Sequence, residues 1–127
     1  MRFKDLKDKV LSWADDKDLL YEENADKQFM KFIEEVFEFK SEFDHLFRID
    51  RTSEEVYSDY ELIETEENMM LEMGDIFVTL IILCEQLGLD PVVCLSMAYE
   101  KIKDRKGKTI GRKFYKQEDL EGKKWEK

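Results

Sequence analysis

Two groups of carboxylates have the residue types and spacing to bind a cation. Glu72 and Asp75 stand at the head of an apolar run, 76–84. Helical residues three positions apart lie on one face, so both carboxylates are expected on the same side of a buried helix. An uncompensated buried carboxylate is costly, which favours a bound cation. The alternative is that both acids only stabilise the N-terminus of a helix.

A second acidic group, Glu34, Glu35 and Glu38, lies about thirty-five residues earlier. Phenylalanines and aliphatic residues from Phe29 to Phe47 form a broad apolar arc on the same expected helix, and the acids fall opposite that arc. Any solvated helix face shows such a pattern, so this helix alone favours a plain surface interpretation. We nevertheless predict that the two acidic groups face each other across a helical bundle.

The predicted ligands are Glu35, Glu38, Glu72 and Asp75. Ligands that are all oxygen select hard ions, so Mg²⁺ is expected, with Mn²⁺ as a possible substitute. His45 is the single histidine, which excludes a His/Cys zinc site and the paired Glu-x-x-His pattern of di-iron bundles. Mg²⁺ held by carboxylates keeps positions for water and substrate phosphate. Phosphate charge could be neutralised by basic residues that follow, namely Lys101, Lys103, Arg105 and Lys108.

The elements that would position these residues are helices. Strong helix formers dominate, proline occurs once, and no Gly- or Ser-rich linker divides the chain, so residues 1–127 are predicted to form one all-α domain. Helices are expected at about 2–14, from Asn24 or Asp26 to about 47, at 65–87 and at 91–105. A capping box at Thr52 predicts a further helical stretch that runs through Leu62 and Ile63, either separate from the helix at 65–87 or continuous with it. Gly88 is expected to end one helix, Asp90 to cap the next and Pro91 to begin it. Residues 109–115 are predicted to form a hairpin, and 109–127 as a whole an extended or mobile tail.

The charge is unevenly distributed. The chain carries −10 overall, whereas residues 101–127 contain eleven Lys or Arg and five Asp or Glu. The acidic total argues against nucleic acid as a partner. Cys84 and Cys94 are predicted to be reduced core residues. The charged N-terminus and the short apolar runs predict no signal peptide and no membrane partner, and therefore a cytoplasmic protein.

These motifs resemble those of a known family, the MazG-like all-α nucleoside triphosphate pyrophosphohydrolases in their short single-domain form. The family pattern is EExxE followed by ExxD on a later helix, and here it stands as Glu34-Glu35-Val36-Phe37-Glu38 and Glu72-Met73-Gly74-Asp75. The likeness extends to the segments 13–16, 28–33, 98–99 and 102–108.

The resemblance implies a four- to five-helix bundle that assembles as a homodimer or homotetramer, with the apolar segment 76–84 at the interface. It implies Mg²⁺-dependent cleavage of an NTP or dNTP between the α and β phosphates, giving the monophosphate and pyrophosphate. Carried over by position, it assigns metal binding to Glu35, Glu38, Glu72 and Asp75, and the attacking water to Glu34. Phosphate contacts fall to Lys31, Lys103 and Arg105, and substrate contacts to Trp13, Gln28, Glu100 and Lys108.

Three departures from the family pattern leave alternatives open. Phe37 stands where the family often has glycine, Glu100 stands where it often has a substrate-holding asparagine, and the spacer between Glu38 and Glu72 is long. The alternative function is a catalytically weakened nucleotide- or protein-binding module on the same helical fold. A third interpretation is a plain helical oligomer whose acids only cap and solubilise.

Overall fold

The computed structural model describes residues 1–51 and 59–123, and it describes the side chains of all of these except 49–51, 59 and 122–123. It is mostly helical, with five α-helices and one two-stranded sheet in the described ranges. The chain divides into two compact units, residues 1–89 and 90–127, called here the first and second units. The predicted all-α class agrees with this content, while the specific bundle type and its assembly stay predictions.

The first unit consists of α1 (Phe3–Asp16), a 3-10 turn (Glu22–Asn24), α2 (Ala25–Arg51) and α3 (Asp59–Gln86). Helices α2 and α3 pack along each other, and α1 packs on α3. The buried apolar residues of the described chain are Ala14, Ile81 and Ile82. The side chain of Gln86 donates to the Leu19 carbonyl at 2.7 Å, which fixes the connection between α1 and α2 against α3.

The extent of α3 changes the interpretation of the second acidic motif. Within the described residues the helix covers Asp59–Gln86, so the segment before Thr65 and the predicted helix from Thr65 onward form one continuous helix. Glu72 therefore lies more than three turns inside the helix, and helix-end electrostatics, which fade within the first turn, do not explain its position. The predicted capping box at Thr52 lies outside the described residues.

The apolar run after Asp75 is less buried than predicted. Ile81 and Ile82 are buried, but Phe77 is 51% exposed and Leu80 36% exposed. One face of this run packs in the first unit and the other faces outward, because α1 and α2 together cover only part of the α3 surface. The argument from costly burial therefore does not apply to Asp75, which is exposed.

The predicted helix stop and start near Gly88 are confirmed. Gly88 has a positive φ of 69°, which favours glycine after a helix. The Asp90 carboxylate accepts hydrogen bonds from the Val92 and Val93 amides, at 2.8 and 3.4 Å, and Pro91 takes the first position of α4 (Pro91–Ile102). Helix α4 ends three residues before the predicted boundary at Arg105.

The second unit continues with a hairpin and a short helix. Strands β1 (Gly107–Ile110) and β2 (Lys113–Lys116) pair antiparallel, which confirms the predicted hairpin, and α5 (Gln117–Lys123) packs on both strands. The two turn residues, Gly111 and Arg112, have positive φ, as a tight two-residue hairpin turn requires. A regular helix of seven residues thus lies within the segment expected to form a tail.

Two further predictions are resolved by the described residues. Cys84 is half-buried, but Cys94 is exposed on α4, so the prediction of a core position for Cys94 is wrong.

Across residues 1–51 and 59–123, no single helix is both long and apolar enough to cross a membrane; α3 and α4 taken together would qualify by length and composition only.

Candidate metal centre

Three glutamates from two helices meet between α2 and α3. Glu35 and Glu38 lie on one face of α2, and Glu72 reaches them from α3. One carboxylate oxygen of each residue lies within 4.8 Å of the corresponding oxygens of the other two. We call these residues the acidic trio. The structure thus brings together three of the four predicted metal ligands.

Glu35 is the buried member of the trio, with 6% of its surface exposed. Its Oε1 pairs with the Lys31 ammonium at 3.1 Å, whereas its Oε2 is buried without a hydrogen-bond partner. The Oε2 atom of Glu72 is also buried and unpartnered. A buried polar atom without a partner costs about 1–3 kcal/mol, so two such oxygens within the trio favour the binding of a cation.

Mutual repulsion is visible at the exposed edge of the trio. The pKa of Glu38 is raised, first by a hydrogen bond to Glu35 and then by the negative charges of Glu35, Glu72 and Glu34. Two carboxylates can share a hydrogen bond only when a proton lies between them, so the metal-free trio favours taking up a proton. A bound cation would compensate the same charge without protonation.

Lys31 is the cation that the chain itself supplies. It pairs with Glu35 and also with Glu34, at 3.6 Å. Its pKa is raised, chiefly by the hydrogen bond to Glu35 and against the opposing effect of desolvation, so the ammonium stays charged. One ammonium cannot balance three glutamates, and it contacts only one member of the trio at ion-pair distance.

The donors of the trio fit a hard divalent cation. All three are carboxylates, two of them have an oxygen free of protein hydrogen bonds, and no histidine or thiolate belongs to the group. Oxygen donors of this kind suit Mg²⁺ or Mn²⁺ and disfavour zinc.

A cavity of about 260 Å³ adjoins the trio at Glu35. Its lining contains four of the predicted site residues, Trp13, Gln28, Lys31 and Asp75, together with Glu35. Asp75 thus faces the cavity and is not one of the three clustered donors. The remaining lining is mostly apolar and consists of Leu19, Val78, Thr79 and Ile82. An apolar pocket with convergent polar groups at one end is the usual form of a small-molecule site.

The position of the cavity follows from local contacts. Gln28 donates to the Thr79 carbonyl at 3.3 Å, which holds α2 against α3 beside the opening. Thr79 is buried, and its hydroxyl donates to the Ile76 carbonyl at 2.8 Å. The sequence-based site did not include Thr79 or Leu19. Thr79 lies one helical turn beyond Asp75, and that spacing is the signal that could have identified it.

The predicted water-activating residue, Glu34, is exposed and adjoins the trio through Lys31. Phe37, the bulky residue between the paired acids, is 70% exposed and therefore does not pack in the core. It leaves the contacts of Glu35 and Glu38 intact.

The other predicted site residues belong to the second unit. Lys103 pairs with Glu100 at 2.5 Å. Arg105 is half-buried and lines a cavity of about 330 Å³ that also contains Lys101, Lys106 and Lys116, with Asp104, Gln117 and Glu118 beside them. Lys108 lies on β1, in register with Tyr115. Phosphate contacts by Lys103, Arg105 and Lys108 stay predictions.

No protein-family model, no curated protein and no solved structure matches this chain. The functional argument therefore depends on the site itself.

Proposed function

We propose that the protein is a divalent-metal-dependent nucleoside triphosphate pyrophosphohydrolase. The substrate would be an NTP or dNTP, cleaved between the α and β phosphates to the monophosphate and pyrophosphate. The observation that carries the proposal is the acidic trio, in which two helices contribute carboxylates with unpartnered buried oxygens. The resemblance of the two acidic motifs to those of MazG-like enzymes supplies the reaction type.

Glu35, Glu38 and Glu72 would hold Mg²⁺ or Mn²⁺, and Asp75 would complete the set from the cavity side. The bound ion would supply charge neutralisation at the phosphates and acidify a water molecule. Lys31 stays charged and faces the same cavity as Glu35, so it can contact a phosphate oxygen. Glu34 lies beside Lys31 and would orient the attacking water and accept its proton.

The adjoining cavity supports a substrate with an apolar, planar portion. Trp13 contributes a large aromatic surface and Gln28 a side-chain amide, a combination that suits a nucleoside. Lys103 and Arg105 would provide further phosphate contacts. We propose that the active form is a homodimer or homotetramer in the cytoplasm.

The proposal is tested with a panel of NTPs and dNTPs in the presence of Mg²⁺ or Mn²⁺, with separate detection of monophosphate, pyrophosphate and inorganic phosphate. Equal amounts of monophosphate and pyrophosphate from at least one nucleotide are expected. Release of inorganic phosphate alone, or no turnover of any nucleotide with either metal, contradicts the proposal.

The alternative is a module that binds a nucleotide or protein without turnover. It is favoured by the ion pair between Glu100 and Lys103, which engages both side chains. Glu100 stands at the position where MazG-like enzymes often have asparagine. Calorimetric binding of a nonhydrolysable triphosphate by a chain that releases no pyrophosphate would select this alternative. Absence of both binding and turnover would leave the plain helical oligomer.

A further inference from the structure

Lys31 connects the acidic trio with the adjoining cavity. Its Nζ lies 3.1 Å from Oε1 of Glu35, one helical turn further along α2, and its side chain also lines the cavity of about 260 Å³. Glu35 is the buried member of the trio, and its Oε2 has no hydrogen-bond partner. One carboxylate is therefore both the partner of an internal cation and a candidate metal ligand.

The ammonium of Lys31 has other positions available to it within the first unit. Its Nζ lies 3.6 Å from Oε2 of Glu34, which is exposed, and the cavity opens beside it. A lysine carries its charge on a flexible aliphatic stem, so a change of rotamer can move the ammonium away from Glu35 without moving the backbone of α2. The pair between Lys31 and Glu35 can therefore open while the trio keeps its place between the helices.

A divalent cation bound by the trio would compete with this ammonium for the charge of Glu35. A cation that takes up the charge of the carboxylate leaves less of it for the lysine, and it repels the ammonium at close range. Dissolved salt screens that repulsion weakly where the shared carboxylate is buried. Metal binding and the pairing of Lys31 with Glu35 should therefore oppose each other, each to the same extent.

We propose that Lys31 is an internal competitor of the metal, and that metal binding moves its ammonium from Glu35 into the cavity. The lysine then stabilises the trio before the metal binds and is free to meet a substrate phosphate afterwards. Towards the metal it is a positioning residue, because it acts through Glu35. This inference rests on the metal site of the proposed function, and it adds a competition that the proposed reaction does not require.

Two variants of Lys31 and one control separate competition from other roles. Lys31→Met removes the charge and keeps a long, unbranched side chain that suits a helix. Lys31→Arg keeps the charge and offers a planar guanidinium, which can engage both oxygens of Glu35 at once. Lys40→Met is the matched control, because Lys40 lies on the same helix and pairs with Asp44 at 2.8 Å, outside the trio.

The measurement is the dissociation constant of Mn²⁺, obtained by electron paramagnetic resonance for the wild type and the three variants. Competition predicts that Lys31→Met binds Mn²⁺ about fivefold or more tightly than the wild type, and that Lys31→Arg binds it about fivefold or more weakly. Lys40→Met should stay within about twofold of the wild type, because its charge lies outside the trio and is screened by salt. Circular dichroism verifies that each variant keeps its helical content.

Two results of this series overturn the proposal. Weaker Mn²⁺ binding by Lys31→Met would show that the ammonium orients Glu35 for the metal and does not compete with it. Equal binding by Lys31→Arg and the wild type would show that the lysine acts only by repulsion at a distance, since the two residues carry the same charge.

A crystal structure of the wild type grown with Mn²⁺ observes the movement directly, because anomalous scattering locates the ion. With Mn²⁺ at the trio, Nζ of Lys31 is expected to lie more than about 4 Å, the limit of an ion pair, from both oxygens of Glu35. Mn²⁺ at the trio with the ion pair intact overturns this inference and leaves the proposed metal site standing. A wild type that binds no Mn²⁺ overturns both.

Discussion

Two acidic regions lie along the same pair of helices, and only one of them has the form of a metal centre. The first is the acidic trio. The second is a cavity of about 340 Å³ lined from α2 by Glu42 and His45 and from α3 by Glu61, Glu64, Thr65 and Asn68. Both regions combine carboxylates from the two helices, so composition does not distinguish them.

The two regions differ in how closely their carboxylates approach one another and in whether their buried polar atoms have hydrogen-bond partners. In the trio, three carboxylate oxygens approach within 4.8 Å and two buried oxygens have no partner. The second region has no such converging group among its described residues, and its buried member, Thr65, donates to the Glu61 carbonyl at 2.9 Å. Acidic residues become a cation site where packing forces them together, not where they are merely frequent.

The second acidic region provides a matched control for an activity measurement on the acidic trio. Glu72→Gln and Glu64→Gln remove the same charge from the same helix about two turns apart. Loss of a direct metal ligand should lower pyrophosphate release at least about 100-fold, whereas Glu64→Gln should leave it within about twofold. The measurement is the initial rate at saturating Mg²⁺. Comparable rates for the two variants would place the metal elsewhere.

A divalent cation should also stabilise the fold through the trio. Binding to the folded state alone adds about 2.7 kcal/mol at a metal concentration 100 times the dissociation constant. Thermal unfolding with and without Mn²⁺ should show this increase in the wild type and in Glu42→Gln, a control on α2. Glu35→Gln should lose most of it. An equal increase in Glu35→Gln would assign the stabilisation to other carboxylates.

A smaller effect, on the free energy of unfolding, is expected from a substitution at Gly74, which lies between Glu72 and Asp75. A Cβ added there meets no atom within 4 Å, and the residue lies inside α3. Gly74→Ala should therefore raise the free energy of unfolding by about 0.5–1 kcal/mol, since glycine is a poor helix former. Chemical denaturation measures the change. Destabilisation would mean that the space beside Gly74 is occupied in solution.

The smallest expected effect is the pH dependence from Glu38. Its folded-state pKa lies above the ordinary value of 4.5, so between the two values the folded chain binds more protons than the unfolded chain. This contribution to stability is fully present below the ordinary pKa and is lost as pH rises through the raised one. Denaturation midpoints across that window should fall with increasing pH more steeply in the wild type than in Glu38→Gln. Identical slopes would show that the repulsion within the trio is negligible.

Local chemistry made part of the fold predictable. The break between α3 and α4 could be located from the sequence because its signals act within a few residues. Gly88 adopts a positive φ after α3, the Asp90 side chain caps α4, and the fixed φ of Pro91 suits the first position of that helix. The hairpin was predictable for the same reason. The helix at Gln117–Lys123 carried no comparable local signal.

The relative importance of the acids could not be predicted. The sequence pattern favoured Glu72 and Asp75 and treated the acids of α2 as a solvated face. In the structure Glu35 is the most deeply buried carboxylate of the site and Asp75 is exposed. Glu34 and Glu35 are adjacent in the chain but point about 100° apart around α2, and only Glu35 is covered. Helical periodicity describes one helix and does not show which side of it a neighbouring helix covers.

The central claim is that the trio binds a divalent cation, and Mn²⁺ titration followed by electron paramagnetic resonance tests it without any assumption about substrate. The wild type and Glu64→Gln are expected to show the same saturable class of bound Mn²⁺, and Glu72→Gln is expected to lose it. Equal Mn²⁺ binding by Glu72→Gln and the wild type, or no saturable binding by the wild type, would contradict the account.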